Sequence, residues 1–209
     1  PVLLHAQYRQ LEFYQNIRTV YTIHNLQYQG IFPIGNIEDL LSLGDWAYTS
    51  DNLEFFGMCS FMKGGLVFAD EITTVSPTYS HEIQTAYYGE RLDGLLRARV
   101  DHLTGILNGI DTVEYDPEHD PAIFRTYSAD TFELKVENKT ALQQELGLKV
   151  DPSAPMIGMV SRLSGQKGLD LVECVLKEIM DTGAQLVVLG MGESKYVDLF
   201  SWAQWKYPE

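Results

Sequence analysis

Cationic side chains are scarce in this chain: 15 Lys and Arg stand against 29 Asp and Glu, for a formal charge of −14. That balance argues against non-specific binding to nucleic acid or to an anionic membrane surface, since both rest on neutralising phosphates. Cysteine is scarcer still. The two present, Cys59 and Cys174, lie far apart without a CxxC spacing, so no disulfide scaffold is expected and a reducing, cytoplasmic setting fits. No apolar run approaches the ~18 residues of a membrane-spanning helix, and Pro1-Val2-Leu3-Leu4 lacks the basic start and apolar stretch of a secretory signal. The five histidines show no metal-ligand spacing on one helix face, so no metal is expected. No Gly-x-Ser-x-Gly elbow surrounds Ser76 and no base is identifiable for it, which argues against a serine nucleophile.

What is present is ordinary globular material. With 45% apolar and 21% charged residues in 209, the chain holds enough for a sizeable core, as one large domain or two small ones. Short apolar runs predict strands at 18–23, 71–75, 103–107, 156–160 and 185–189. Helices are expected at 61–69, 79–85, 131–146 (stopped by Gly147), 169–181 and 195–205. Residues 27–45 read as irregular, and 110–121 as a linker. Cys174 falls inside the apolar pattern Leu171, Val172, Val175, Leu176, Ile179, which predicts core burial. The stripe Tyr196, Phe200, Trp202, Trp205 reads as core or interface. Strands that alternate with helices, each a continuous apolar run, imply parallel sheets covered on both faces.

The most informative stretch is Ser161-Arg162-Leu163-Ser164-Gly165-Gln166-Lys167-Gly168, between a strand and a helix. Such a turn exposes unpaired backbone N–H groups at the positive end of the helix dipole. Arg162 and Lys167 add two cations to the same lip, a forked one and a mobile one, which together suit a diphosphate. The alternative is a solvated turn that happens to be basic.

Ligands of parallel sheets gather at the carboxyl ends of strands, and polar motifs stand at the ends of several strands here. His24-Asn25 follows the first strand, where the alternative for His24 is a bond to a backbone carbonyl. Gln27 and Gln29 beyond it carry amides able to bond sugar hydroxyls. Ser76-Pro77 reads chiefly as a helix start. Asn108-Gly109 is by default a tight turn, yet its place beside the linker lets Asn108 face a cleft. Gly190-Met191-Gly192 is a weak dinucleotide fingerprint with its third glycine missing, and its glycines permit close backbone approach to a nucleotide or to a neighbouring loop.

His24-Asn25-Leu26-Gln27-Tyr28-Gln29-Gly30 resembles the signature that follows a strand in bacterial glycogen synthases and plant starch synthases. Asp70 through Tyr79, Leu107-Asn108-Gly109-Ile110-Asp111 and Ser161 through Asp170 resemble that family's next landmarks, in order. The resemblance implies an α/β fold of glycosyltransferase B type, with parts of two Rossmann-like domains. Residues 1–107 would end the N-terminal, acceptor-side domain, 108–121 would form the hinge, and 122–209 would begin the C-terminal nucleotide-sugar domain. It further implies retaining transfer of glucose from ADP-glucose to the non-reducing end of an α-1,4-glucan, without metal or other cofactor, in the cytoplasm (or a plastid, in a plant). Arg162 and Lys167 would hold the donor diphosphate, and His24 would contact the donor glucose. Asn108 and Gly109 would line the sugar pocket with Gln29 nearby, and Gly190 and Gly192 would lie close to the nucleotide.

The family's Lys-x-Gly-Gly-Leu loop and its late Glu-x-x-Gly-Leu segment are both missing, and Lys63-Gly64-Gly65-Leu66 falls in a helix instead. An incomplete, inactive piece of the enzyme is therefore expected, whose open sheet edges invite homo-oligomers or strand exchange. A non-catalytic nucleotide-sugar or glucan binding module and a nucleotide-sugar epimerase stay open as rivals.

Overall fold

The computed structural model describes residues 1–208, the Asn36 side chain excepted. Two compact units result, Pro1–Gly109 and Ile110–Glu209. Asn108 and Gly109 thus close the first unit, and 110–121 belong to the second.

The first unit runs β1 (Val20–Ile23), β2 (Ile31–Phe32), α1 (Ile34–Leu41), β3 (Glu54–Phe55), β4 (Met58–Ser60), α2 (Phe61–Phe68), β5 (Glu71–Thr74), α3 (Pro77–Glu82), α4 (Asp93–Ala98) and β6 (Leu103–Gly105). β1, β5 and β6 form a parallel sheet in the order β1-β5-β6. A small antiparallel sheet, β2-β4-β3, flanks it in sequence. Ile23, Leu26, Met62, Leu66, Ile72, Ile83, Leu92 and Leu96 make one buried cluster under the parallel sheet. α2 reaches β1 closely because a Cβ on Gly65 would sit 2.3 Å from the Tyr21 ring, so the glycines of Lys63-Gly64-Gly65-Leu66 serve packing.

Three expectations need correction here. Residues 27–45 are not irregular: Pro33, with φ −57°, presets the backbone that starts α1. The last strand stops at Gly105 rather than 107. There the backbone passes so near Ser76 that a Cβ would lie 2.2 Å from its carbonyl oxygen. The helix expected at 79–85 ends earlier, at Glu82; its start at Ser76-Pro77 is as read, with the Ser76 hydroxyl capping it by accepting the Tyr79 N–H at 2.9 Å.

The second unit holds α5 (Lys135–Glu145), β7 (Met156–Val160), α6 (Leu169–Asp181), β8 (Gln185–Leu189) and α7 (Ser194–Lys206). β7 and β8 pair in parallel along five residues. Leu163, Leu169 and Tyr196 are the buried centre. Buried Gln143 ties α5 to the sheet: its amide nitrogen donates to Asp151 O at 2.9 Å and to Gln185 Oε1 at 2.7 Å. The helix expected at 131–146 is shorter, because Thr131 leaves helical geometry and a tighter turn precedes α5. Cys174, expected in the core, lies exposed on α6, whose inward face is carried by Leu169 and Leu176. The aromatic stripe divides: Tyr196 is buried, whereas Trp205 is 78% exposed. Among the described residues, no helix is long and apolar enough to cross a membrane.

Candidate active site

In the second unit the backbone moulds the Arg162–Lys167 turn. The β7–β8 ladder continues beyond the strands: Ser161 N donates to Leu189 O at 3.1 Å, Leu163 N to Met191 O at 2.9 Å, and Glu193 N to Leu163 O at 2.8 Å. The segment carrying Gly190 and Gly192 therefore lies flat against the turn. A Cβ at Gly190 would sit 2.0 Å from Ser161 O, and one at Gly192 would sit 2.0 Å from Leu163 O. Of the two approaches open from sequence, the glycines make the one to the neighbouring loop. Leu163, 4% exposed, anchors the turn inward. Past it a short helical turn, Gly165–Lys167, ends at left-handed Gly168, from which α6 starts.

Anchoring Leu163 and Leu169 inward turns the polar residues outward. Arg162 and Lys167 are both exposed. Among the described residues, neither side chain has an ion pair or hydrogen bond, although the turn's Gly165 N–H donates to Glu193 Oε1 at 3.2 Å. Two free guanidinium and ammonium groups beside the N-terminus of a 13-residue helix are arranged to take an anion with several oxygens.

In the first unit the candidate groups share the carboxyl edge of one sheet. His24 follows β1 and Ser76 lies just past β5, while Asn108 lies beyond β6. His24 is exposed, and among the described residues its ring has no hydrogen-bond partner. The turn after it is held by the Asn25 carboxamide, which accepts the Gln27 N–H at 2.9 Å, and by Tyr79 Oη, which accepts the Leu26 N–H at 3.2 Å. Asn108 and Gly109 are exposed. Gln29 departs from the sugar-facing place expected of it. It is 6% exposed, its amide nitrogen donates to Glu90 O at 2.9 Å, and its Oε1 accepts from the Ser60 hydroxyl at 3.4 Å. A side chain so buried and bonded braces the loops around it.

The structure also gathers a group that helix-face spacing could not find. Asp116, Glu118 and His119 hold their ligand atoms within 4.8 Å of one another in a surface turn. His119 Nδ1 and Asp116 Oδ2 are 2.8 Å apart, and that bond raises the His119 pKa. The signal for it was the short Asp-x-Glu-His spacing in a turn.

Comparison with known proteins decides what this arrangement belongs to. Residues 1–98 match the family described as the starch synthase catalytic domain. Glycogen synthases from Geobacillus thermodenitrificans and Geobacillus stearothermophilus are each 58% identical over 208 residues, which is 100% of this chain and 43% of theirs. The chain is thus similar, along its whole length, to part of the glycogen and starch synthases. The catalytic domain of starch synthase IV from Arabidopsis thaliana, a structure bound to ADP and acarbose, superposes with a TM-score of 0.90 at 29% identity, over 99% of this chain and 43% of that one. The α/β fold with parallel sheets is thus that of a glycosyltransferase B enzyme. The chain spans less than half the length of the relatives it matches.

Proposed function

We propose that the chain serves retaining transfer of glucose from ADP-glucose to the non-reducing end of an α-1,4-glucan. The observation that carries this is the pair of unpartnered cations, Arg162 and Lys167, on a turn that glycines press into shape at the head of α6. Relatives named glycogen synthase and a structural neighbour bound to ADP and acarbose support the choice of donor and acceptor.

Arg162 would fork onto the diphosphate and Lys167 would follow the charge that builds on the leaving ADP, as preorganised donors do. Their freedom matters, since a cation already bound to a carboxylate would first have to break that pair. His24, with both ring nitrogens open, would bond the donor glucose. Asn108 and Gly109 would line the sugar pocket. Gly190 and Gly192 would act by shaping the phosphate turn, and Gln29 by bracing the His24 loop. The chemistry as proposed calls for no metal or other cofactor. Unpaired Cys59 and Cys174 fit a reducing compartment.

Arg162→Ala and Lys167→Ala in the full-length protein test the assignment. Each is expected to lower turnover by roughly 10²-fold and to weaken ADP-glucose binding by calorimetry, with the thermal midpoint unmoved. Unchanged donor binding and turnover in both would remove the diphosphate role. Transfer activity in the unaltered protein separates an enzyme from a binding module of the same fold.

We further propose that open strand edges drive self-association. Among the described residues β1 and β6 each have one neighbour, as do β7 and β8, and Val160 is 80% exposed. Light scattering on the 209-residue chain should give a mass above the monomer, and a clean monomer would rule this out.

A further inference from the structure

An asparagine amide is most open to attack by the next backbone nitrogen when that nitrogen belongs to glycine, which has no Cβ to obstruct the approach. Six asparagines occur in the chain, and Asn108 alone precedes a glycine. The others are followed by Ile17, Leu26, Ile37, Leu53 and Lys139. The fold widens that difference. Asn25 accepts the Gln27 N–H at 2.9 Å, and Asn52 donates to Trp46 O at 2.7 Å. Asn138, in α5, donates to Arg125 O at 2.7 Å and accepts the Arg125 N–H at 2.9 Å. A carboxamide held by such bonds has to break them before it can turn toward the following nitrogen.

Asn108 is under no such restraint. β6 ends at Gly105, and the last bond of its ladder runs from Ile106 N to Thr74 O at 2.7 Å. The next backbone bond along the chain is the one from Tyr115 N to Asp111 O at 3.0 Å. Between them residues 107–110 lie exposed, outside any helix or strand. Among the described residues the Asn108 carboxamide has no hydrogen-bond partner, and the Gly109 N–H donates to none. A Cβ built on Gly109 would meet nothing within 4 Å. No ordered contact therefore has to part before amide and nitrogen meet, and folding gives this pair little protection.

We propose that Asn108-Gly109 is a site of spontaneous covalent modification, deamidating to isoaspartate and aspartate in the folded protein. Solvent takes the Gly109 amide proton, and the nitrogen attacks Asn108 Cγ. The N–Cγ bond forms, the Cγ–Nδ2 bond breaks, and ammonia leaves behind a five-membered succinimide. Water then opens the ring. Breaking the bond from nitrogen to Cγ gives aspartate. Breaking the bond from nitrogen to the Asn108 backbone carbonyl carbon gives isoaspartate, whose main chain runs through Cβ and Cγ. Nothing is oxidised or reduced, and water is the only co-reactant. Either product adds a negative charge, and isoaspartate also adds a methylene to the main chain just before the second unit begins at Ile110. One consequence rests on the transferase function above: a carboxylate replaces the amide expected to line the sugar pocket, so aged protein loses transfer. The chemistry itself does not depend on that function.

The test ages the folded 209-residue chain in oxygen-18 water at mildly alkaline pH and follows it by peptide mapping with mass spectrometry. A parallel sample in guanidinium chloride gives the rate without a fold. The peptide holding Asn108 should take up one labelled oxygen, lose ammonia and split into two chromatographic forms. Its rate in the folded chain should lie within about threefold of the rate in denaturant, while the other five asparagines convert at least tenfold more slowly. Gly109→Ala, read by mass alone, should slow the conversion about tenfold by crowding the attacking nitrogen. An intact Asn108 in the folded chain beside a converted one in denaturant overturns the proposal, as does an unchanged rate in Gly109→Ala. In the full-length protein, transfer that survives complete conversion removes Asn108 from the sugar pocket and leaves the modification standing.

Discussion

In the first unit the loops at the strand ends are braced by side chains, whereas in the second the Arg162–Lys167 turn is braced chiefly by backbone. The His24 loop depends on Asn25, Gln29 and Tyr79. At the opposite, amino end of the same sheet, Arg99 donates to four carbonyls, those of Leu66, Val67, Ala69 and Asp70. The turn in the second unit is tied by a side chain at Gly165, whose N–H donates to Glu193 Oε1 at 3.2 Å. Its shape comes from ladder bonds and from the absence of two Cβ atoms at Gly190 and Gly192. A phosphate site gains from this, since the exposed Arg162 and Lys167 side chains stay available to the ligand.

The comparison breaks most easily at Gly192. Gly192→Ala places a methyl group 2.0 Å from Leu163 O, where neither backbone can yield without parting the ladder. We expect a loss of about 3 kcal/mol in the second unit and loss of ADP-glucose binding. Arg99→Ala should cost less, about 2 kcal/mol, and only in the first unit, because water can reach some of the freed carbonyls. Tryptophan fluorescence during urea unfolding separates the two, since Trp46 reports on the first unit and Trp202 and Trp205 on the second. A second-unit transition left in place by Gly192→Ala would show that the turn yields and that side chains matter there after all.

The same contrast explains what could be read from the sequence. β7, α6 and β8 were legible to the residue because apolar runs bounded by turns carry both their type and their ends. The basic turn was legible because its residue types are rare in an acidic chain. Gln29 was not. An amide beside a histidine looks the same whether it faces a sugar or a buried carbonyl, and its bond to Glu90 spans 61 residues. Cys174 was misplaced for a related reason, since the apolar stripe on α6 is wider than the face its partners cover. α1 was missed because Pro33 and Gly35 look like breakers, though proline before the first turn begins a helix as readily as it ends one.

The smallest expected effect concerns acid. Asp70, at the amino end of β5, accepts the Thr19 N–H at 2.7 Å and the Thr19 hydroxyl at 2.9 Å, with Arg18 at 3.1 Å and Arg9 at 3.3 Å. The Thr19 backbone bond above all, then the Thr19 hydroxyl and the two arginines, holds its carboxyl well below the ordinary aspartate range. A carboxyl depressed by folding stabilises the folded state above its unfolded pKa of about 3.9, and that contribution fades as pH falls below it. The second unit also has depressed carboxylates, Asp111, Asp116 and Asp151, but these are held within surface turns, where salt screens them. Urea midpoints between pH 5 and pH 3 should therefore fall in the first unit, with little change on adding salt. Asp70→Asn should cost about 1 kcal/mol at pH 7, because the amide still accepts from Thr19 but no longer attracts the arginines, and it should flatten that acid dependence. An equally steep fall in Asp70→Asn would move the acid sensitivity to other carboxylates and leave Asp70 a simple brace between β1 and β5.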